Sequence, residues 1–554
     1  MKFRYLTVAL LATSQAAFAQ LAPGAGGQLQ QIPPAPVAPK EEPGLVIEAP
    51  KAAPDADRGG PKIQVTTLHV TGQTLFDEGT LVAASGFTPG SELSLFDLRA
   101  AAARIATYYH ARGYFLAQAY LPAQDVQGGS VTIVVIEGHY GKVAIANETN
   151  LSGRVAQGVL HGIDTGDVVA NAPLERRLLL LSDIPGVVVE STLAPGAATG
   201  TSDLTVHLLP GHRVTGSIEA DNAGNRYTGA YRAGGTINLN NATGLGDMLS
   251  LRALASTSGL AYGRAAWQVP IGNLTLGAAY AHFRYDLGRE FKSLDAHGTA
   301  DVASVFASYP LIRSRRANLY AVGDLDAKWF DDRVDSVSTR SRKSSRTLTL
   351  GLSGNSHDDL RGGGWNVFSL AWVIGDLKLR SPLDRAVDAL TAHTAGTFNK
   401  LEFSAARLQA VSGPLSLYGA VRGQVAFDNL DTSEKMELGG AYGVRAYPEG
   451  EAYGDQGYIA TIEARLMLSD WAAGFPGRLQ LIGFVDTGEV DYAKNPWFPG
   501  RNHSRRSGFG GGLIWMAPEN FVVKASYAHK IGHTVATSAP DRPGRFWFQV
   551  SKLF

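Results

Sequence analysis

From Gly211 to its last residue the chain reads in twos. In the first such stretch Val214, Gly216, Ile218 and Ala220 alternate with Arg213, Thr215, Ser217, Glu219 and Asp221, so a strand there has one apolar and one wet face. Leu415, Leu417, Gly419, Val421 and Val425 separate in the same way from Ser416, Tyr418, Arg422 and Gln424, and Phe521, Val523, Ala525 and Tyr527 from Lys524, Ser526 and Lys530. A soluble sandwich buries its apolar face on a second sheet, whereas a membrane barrel turns that face to lipid and keeps the polar face in water. Three observations favour the barrel. The candidate strands run ~10 residues or more, enough to cross a bilayer when tilted and longer than the ~5 to 6 usual in soluble sheets. Turn signals between them mark about sixteen, an even number as closure with both ends on one side requires. The chain also finishes on a strand, with Phe546, Phe548, Val550 and Phe554 on one face; Lys552 interrupts it, near enough to the end to reach the interface.

No apolar run after the first residues approaches the ~20 that a membrane helix needs, so any membrane role falls to strands. The first residues are an address. Lys2 and Arg4 precede an apolar run from Tyr5 to Ala12, and Ala17-Phe18-Ala19 offers a cleavage site before Gln20, which marks residues 1–19 as a signal peptide and sends the mature protein out of the cytosol. Lysines and arginines number 50 and so do aspartates and glutamates, and this zero net charge gives no support for nucleic-acid binding. The absence of cysteine excludes a disulfide framework, a thiolate metal site and a thiol nucleophile. Residues 20–61, with Pro33, Pro34, Pro36, Pro39, Pro43, Pro50, Pro54 and Pro61, cannot bury a core and read as an extended linker. Within it only Ala25 to Ile32 could form a short helical turn, weakened by Gly26 and Gly27.

Residues 62–138 read as a compact α+β module. Ile63, Val65, Leu68 and Val70 suggest a strand; Phe96 to Arg112 puts Leu98, Ala101, Ala102, Ile105 and Tyr109 on one helix face, with Gly113 as the stop. Strands are expected at Tyr114 to Leu121 and at Ser130 to Glu137. A second module spans residues 139–210, with Pro173 opening a helix whose Leu174, Leu178 and Leu181 recur at helical spacing, then strands at Val187 to Leu193 and Asp203 to Leu209.

Between the candidate strands, Gly439-Gly440-Ala441-Tyr442-Gly443-Val444-Arg445-Ala446-Tyr447 sets one arginine among glycines and tyrosines in a segment too irregular to be a strand. Arg445 needs an anionic partner. In the segment 479–488 the odd positions Leu479, Leu481 and Val485 are apolar and go to lipid, so Asp486 points inward; on the preceding strand Tyr458, Ala460, Ile462 and Leu466 go to lipid and leave Glu463 and Arg465 inside. A guanidinium has five donors and can hold both carboxylates.

Val444-Arg445-Ala446-Tyr447 resembles the loop motif of the TpsB two-partner secretion transporters (haemolysin secretion/activation proteins, ShlB/FhaC/HecB type), and Phe484-Val485-Asp486-Thr487-Gly488 resembles their Phe-x-Asp-x-Gly wall motif. The order of the first module resembles a POTRA domain, and Tyr120-Leu121-Pro122-Ala123-Gln124 with Val135-Ile136-Glu137-Gly138 looks like the TpsB version; Gly200-Thr201-Ser202-Asp203-Leu204 resembles the family's closing strand. The resemblance implies two POTRA domains, 62–138 and 139–210, in the periplasm, ahead of an outer-membrane β-barrel over 211–554 whose loop at about 430–455 returns into the lumen. It also implies an N-terminal plug helix, for which residues 25–32 are the candidate. Arg445 would pair with Asp486, or with Glu463, and the bond would either gate transport or only steady the barrel. Ala446 stands where the family usually has glycine, and a φ > 0 there would cost ~1 kcal/mol. The terminal Phe554 resembles the signal read by the barrel assembly machinery, and Asp221-Asn222-Ala223-Gly224 and Asn240 to Asp247 resemble the opening hairpins, read otherwise as ordinary turn chemistry.

Other motifs fail. His529 and His533 have helical ligand spacing, but on a strand lie ~13 Å apart, too far to share a metal. His357-Asp358-Asp359 reads as a solvated loop. Gly508 to Gly512 lacks the Lys-Ser/Thr of a phosphate loop, and its Gly508, Gly510 and Gly512 face the lumen, where they leave room for the returning loop. No nucleophile elbow is present, and neither a metal, a cofactor nor an enzymatic activity is expected. The expectation is an outer-membrane translocator, in contact with membrane lipid, that secretes an unfolded β-helical partner of the TpsA type without nucleotide hydrolysis. The alternatives are an assembly and insertion factor for other barrels, or a passive porin or receptor.

Overall fold

The computed structural model describes residues 23–36, 44–47, 60–468 and 476–554. The signal-peptide reading of residues 1–19 lies outside them, as does much of the linker.

In the first module the strands Thr67–Thr71, Ser130–Ile136 and Gln118–Tyr120 form one sheet, and the helices Glu78–Ser85 and Leu95–His110 cover it. The long helix starts where Ser94 and Asp97 satisfy each other's backbone in a capping box, and its Leu98, Ala101, Ala102, Ile105 and Tyr109 are buried against Val131, Ile133 and Val135. The strand expected over Tyr114 to Leu121 shrinks to Gln118–Tyr120. Its first residues turn instead, Tyr114 N–H bonding the carbonyl of Tyr109 and Ala117 N–H that of Tyr114. Glu137 accepts from the Thr74 and Leu75 N–H groups and from the Tyr109 and Thr74 hydroxyls; burial opposes its charge, but these donors win and hold the carboxyl below its usual range.

The second module consists of the strands His139–Asn147, Val187–Pro195 and Thr201–Pro210 with the helices Gly153–Leu160 and Asn171–Ser182. The second helix begins two residues before Pro173, which the first turn tolerates because its N–H groups have no intrahelical acceptor. The linker is not uniformly unpaired: Gly44–Ile47 is a strand, parallel to Val187–Pro195, with Leu45 opposite Ser191 and Val46 opposite Thr192.

After Gly211 sixteen antiparallel strands close into a barrel among the described residues, from Val214–Asp221 to Gly544–Leu553. Closure runs from Ser217 opposite Leu553 to Asp221 opposite Gln549, and Gly216 and Phe554 exchange backbone hydrogen bonds at 2.8 and 3.1 Å. Asn222 secures the seam further, accepting from the Phe548 N–H and donating to the Phe546 carbonyl. Alternation sorts the faces: Ser217, Glu219 and Asp221 are buried toward the lumen, while Ile218 is 63% exposed on the outside. The second module is held to the barrel's near rim by a two-pronged bond between Arg313 and Asp183 and by the Asn150 side chain, which donates to the Asn241 carbonyl and accepts from the Asn241 side-chain amide.

Candidate functional site

Residues 427–455 leave the strand Leu415–Ala426 at the rim away from the two modules and fold back into the lumen before the strand Gln456–Met467. A two-residue ladder, Met436–Glu437 against Tyr453–Gly454, forms the stem. At the tip Val444 N–H bonds the Leu438 carbonyl and Gly440 N–H the Tyr447 carbonyl, a turn so tight that a side chain at Gly443 would collide with two carbonyl oxygens. Val444, Ala446 and Tyr447 are fully buried.

This turn aims Arg445 at the wall. Its Nε and Nη2 donate to the two carboxylate oxygens of Asp486, each at 2.8 Å, and its backbone N–H adds a third bond at 3.2 Å. Nη1 meets Glu463 at 2.8 Å, so the structure places Arg445 against both inward carboxylates rather than one. Phe484 stacks beneath the guanidinium, 3.4 Å from ring centre to carbon, and Trp547 Nε1 donates to the Arg445 carbonyl at 2.6 Å. Thr461 occupies a further lone pair of Asp486, and Arg465 engages the other oxygen of Glu463. With Asp486 fully buried and Arg445 nearly so, losing one partner of this cluster would cost ~3 to 5 kcal/mol. Ala446 has no positive φ, so no left-handed strain arises at the position where glycine was expected. It packs against Gly508, where a Cβ would strike it, and Gly488 likewise makes room for Leu438. Phe554 lies elsewhere, at the seam, its ring over Gly216.

Several anchors escape the sequence reading. Glu451 is buried against Arg506 and accepts from the Thr537 and Ser538 N–H groups. Arg506 shares the parity of Gly508, so alternation could have pointed it inward. Lys328 and Lys400 hold Glu434, and Lys343 holds Asp431. The candidate plug at residues 25–32 does form a helix, Ala25–Gln30, inside the barrel: Ala25 N–H donates to Asp332, Gln28 meets Thr228, and Gln31 donates to Glu437 and Tyr453 of the loop stem. Gly26, which lowers its helix propensity, is where any side chain would collide with Ser433. A cavity of about 470 Å³ remains beside the loop, with Arg422, Arg445, Glu463, Arg465 and Lys524 among the residues that line it.

A model of the haemolysin secretion/activation protein family ShlB/FhaC/HecB matches residues 200–504, and one of the POTRA domain, ShlB-type, matches residues 63–138. The heme/hemopexin transporter protein HuxB of Haemophilus influenzae (strain 86-028NP) is 26% identical over 472 residues, covering 84% of this chain and 82% of its own. The outer membrane transporter CdiB of Dickeya dadantii (strain 3937) is 25% identical over 394 residues, 70% of this chain and 69% of its own. The solved structure of CdiB from Escherichia coli shares the fold, with a TM-score of 0.70 at 20% identity over 91% of this chain and 93% of that one. The chain therefore belongs to the haemolysin secretion/activation family, the TpsB transporters of the outer membrane, with its POTRA domains on the periplasmic side.

Proposed function

We propose that this protein captures an unfolded, secreted partner of the TpsA type at its POTRA domains and passes it through the lumen without nucleotide hydrolysis. The observation that carries the reading is that one N-terminal segment occupies two places a client would need. Its helix Ala25–Gln30 fills part of the lumen, and its strand Gly44–Ile47 adds to the sheet of the second POTRA domain. A sheet edge that accepts a strand through main-chain bonds needs little sequence from it, so an extended client can replace Gly44–Ile47 there. The loop held by Arg445, Asp486 and Glu463 is the second obstacle, and its polar anchors can be exchanged for others as a client passes. The free energy comes from the client folding outside. Deleting residues 62–210 is expected to abolish partner release while leaving a heat-modifiable barrel in the outer membrane. Undiminished secretion by that deletion would sink the mechanism.

A further inference from the structure

Above its apolar belt the outer face of the barrel is unevenly charged. On the paired strands Thr339–Asp358 and Gly364–Leu379, inward Ser345, Thr347, Val373 and Leu377 are buried, so their neighbours face out. Leu350 and Trp372, about half exposed, and the opposed Leu348 and Ile374 belong to the belt. One outward step further from the POTRA side, Arg346 stands opposite Asp376; the next sets Ser344 opposite Lys378, and beyond them the Arg380 N–H bonds the Arg342 carbonyl. Trp329, exposed on the adjoining strand, lies opposite Ser344 and marks the interface. Each outward step is ~6.6 Å along the strand, which puts Arg346 and Lys378 at headgroup depth and Arg342 and Arg380 just above.

All four cations are exposed. Lys378 touches Asp376 at 3.5 Å, while Arg342, Arg346 and Arg380 have no ion pair among the described residues; Arg380 reaches only the Ser344 hydroxyl. Asp331 stands opposite Arg342, but its carboxylate is held by Arg333 and Arg340, which oppose each other one step higher. On another side of the barrel the same level is balanced, Arg505 opposite Glu489 and His503 opposite Asp491. The patch thus sets six cations against two carboxylates, directly over an apolar belt.

We propose that this patch binds the phosphates of a phosphorylated glycolipid of the outer leaflet, its acyl chains lying against Leu348, Leu350, Trp372 and Ile374. Guanidinium forks take phosphate oxygens two at a time, which suits three arginines without carboxylate partners. The continuity of the patch with the lipid-facing belt selects a lipid over a free anion, because both halves of such a ligand are met together.

The test uses the full-length protein in detergent, with bisphosphorylated lipid A, the same lipid stripped of phosphate, and inorganic phosphate as probes, read by native mass spectrometry. The wild type should retain lipid A, with the stripped lipid at least about ten-fold weaker. The variant Arg342→Gln/Arg346→Gln/Lys378→Gln/Arg380→Gln should lose about ten-fold or more, while Arg505→Gln behaves as wild type. If the fourfold variant fails to give a heat-modifiable barrel, Arg342→Gln/Arg346→Gln carries the comparison. Equal retention by variant and wild type overturns the proposal, as does equal retention of the two lipids. Binding of inorganic phosphate as tight as that of lipid A overturns it too, by making the patch a simple anion site.

Discussion

Arg445 is bound to two carboxylates at once, and this changes what a charge exchange can achieve. Swapping Arg445→Asp with Asp486→Arg would restore one attraction but set the new carboxylate beside Glu463, 2.8 Å from where the guanidinium ended. The double exchange is therefore expected to recover little of the secretion lost in either single variant, and adding Glu463→Gln should recover more; secretion assays at equal outer-membrane levels measure this. Full recovery without the Glu463 change would show that Glu463 is incidental. A second residue-scale prediction concerns Glu137. Its carboxyl is held below the usual value in the folded state, so its contribution is present above about pH 4.5 and is lost as pH falls through the lowered value. Glu137→Gln should lower the protection of Thr74 and Leu75 amides in hydrogen exchange at pH 7 and flatten its fall toward pH 3. Parity made Asp486 and Glu463 legible, since a strand fixes the side of every second residue. The tip of the loop has no such period, which is why the backbone bond of Arg445 to Asp486, its contact with Phe484 and the pairing of Glu451 with Arg506 emerge only from the fold.

Elements whose stability comes from their own pattern could be read directly. The long helix Leu95–His110 and the barrel strands carry a repeat that survives any choice of neighbour. Gly44–Ile47 carries none: four residues between prolines become a strand because Val187–Pro195 offers an edge, which is tertiary information. The helix Ala25–Gln30 is similar, six residues with two glycines that persist because the lumen wall and loop receive them. Residues 25–32 could still be named as a candidate, whereas the helices Glu78–Ser85 and Gly153–Leu160 are not expected from the sequence, each only eight residues long and so short of a persuasive repeat. The role of the added strand can be tested by locking it. Val46 and Thr192 are opposed and both accessible, and the chain has no native cysteine, so Val46→Cys/Thr192→Cys should form a single crosslink on oxidation. Secretion is expected to stop in the oxidised protein and return on reduction. Normal secretion by the crosslinked form would mean that clients do not need that edge.

Across the whole molecule, one N-terminal segment bridges lumen and periplasm, and the loop closes over it. Gln31 donates at 3.1 Å to Glu437 in the loop stem, Arg232 donates to the Gln31 carbonyl from the wall, and Asp332 caps the first turn of the helix at Ala25. These polar contacts make the helix a removable filler rather than part of the barrel, whose strands bond one another around the full circle without it. Deleting residues 23–36 should accordingly leave a folded barrel with higher single-channel conductance in planar bilayers. Gln31→Ala, which removes two donors to the loop, should give brief openings to the same level. Adding Arg445→Ala to the deletion frees the loop as well, and conductance should rise again because loop and helix obstruct the lumen as separate bodies, joined by the Gln31 hydrogen bonds and by the packing of Gly26 on Ser433. If the deletion alone already gives the full conductance, the loop contributes nothing to the seal and its bond to Asp486 serves only to steady the wall.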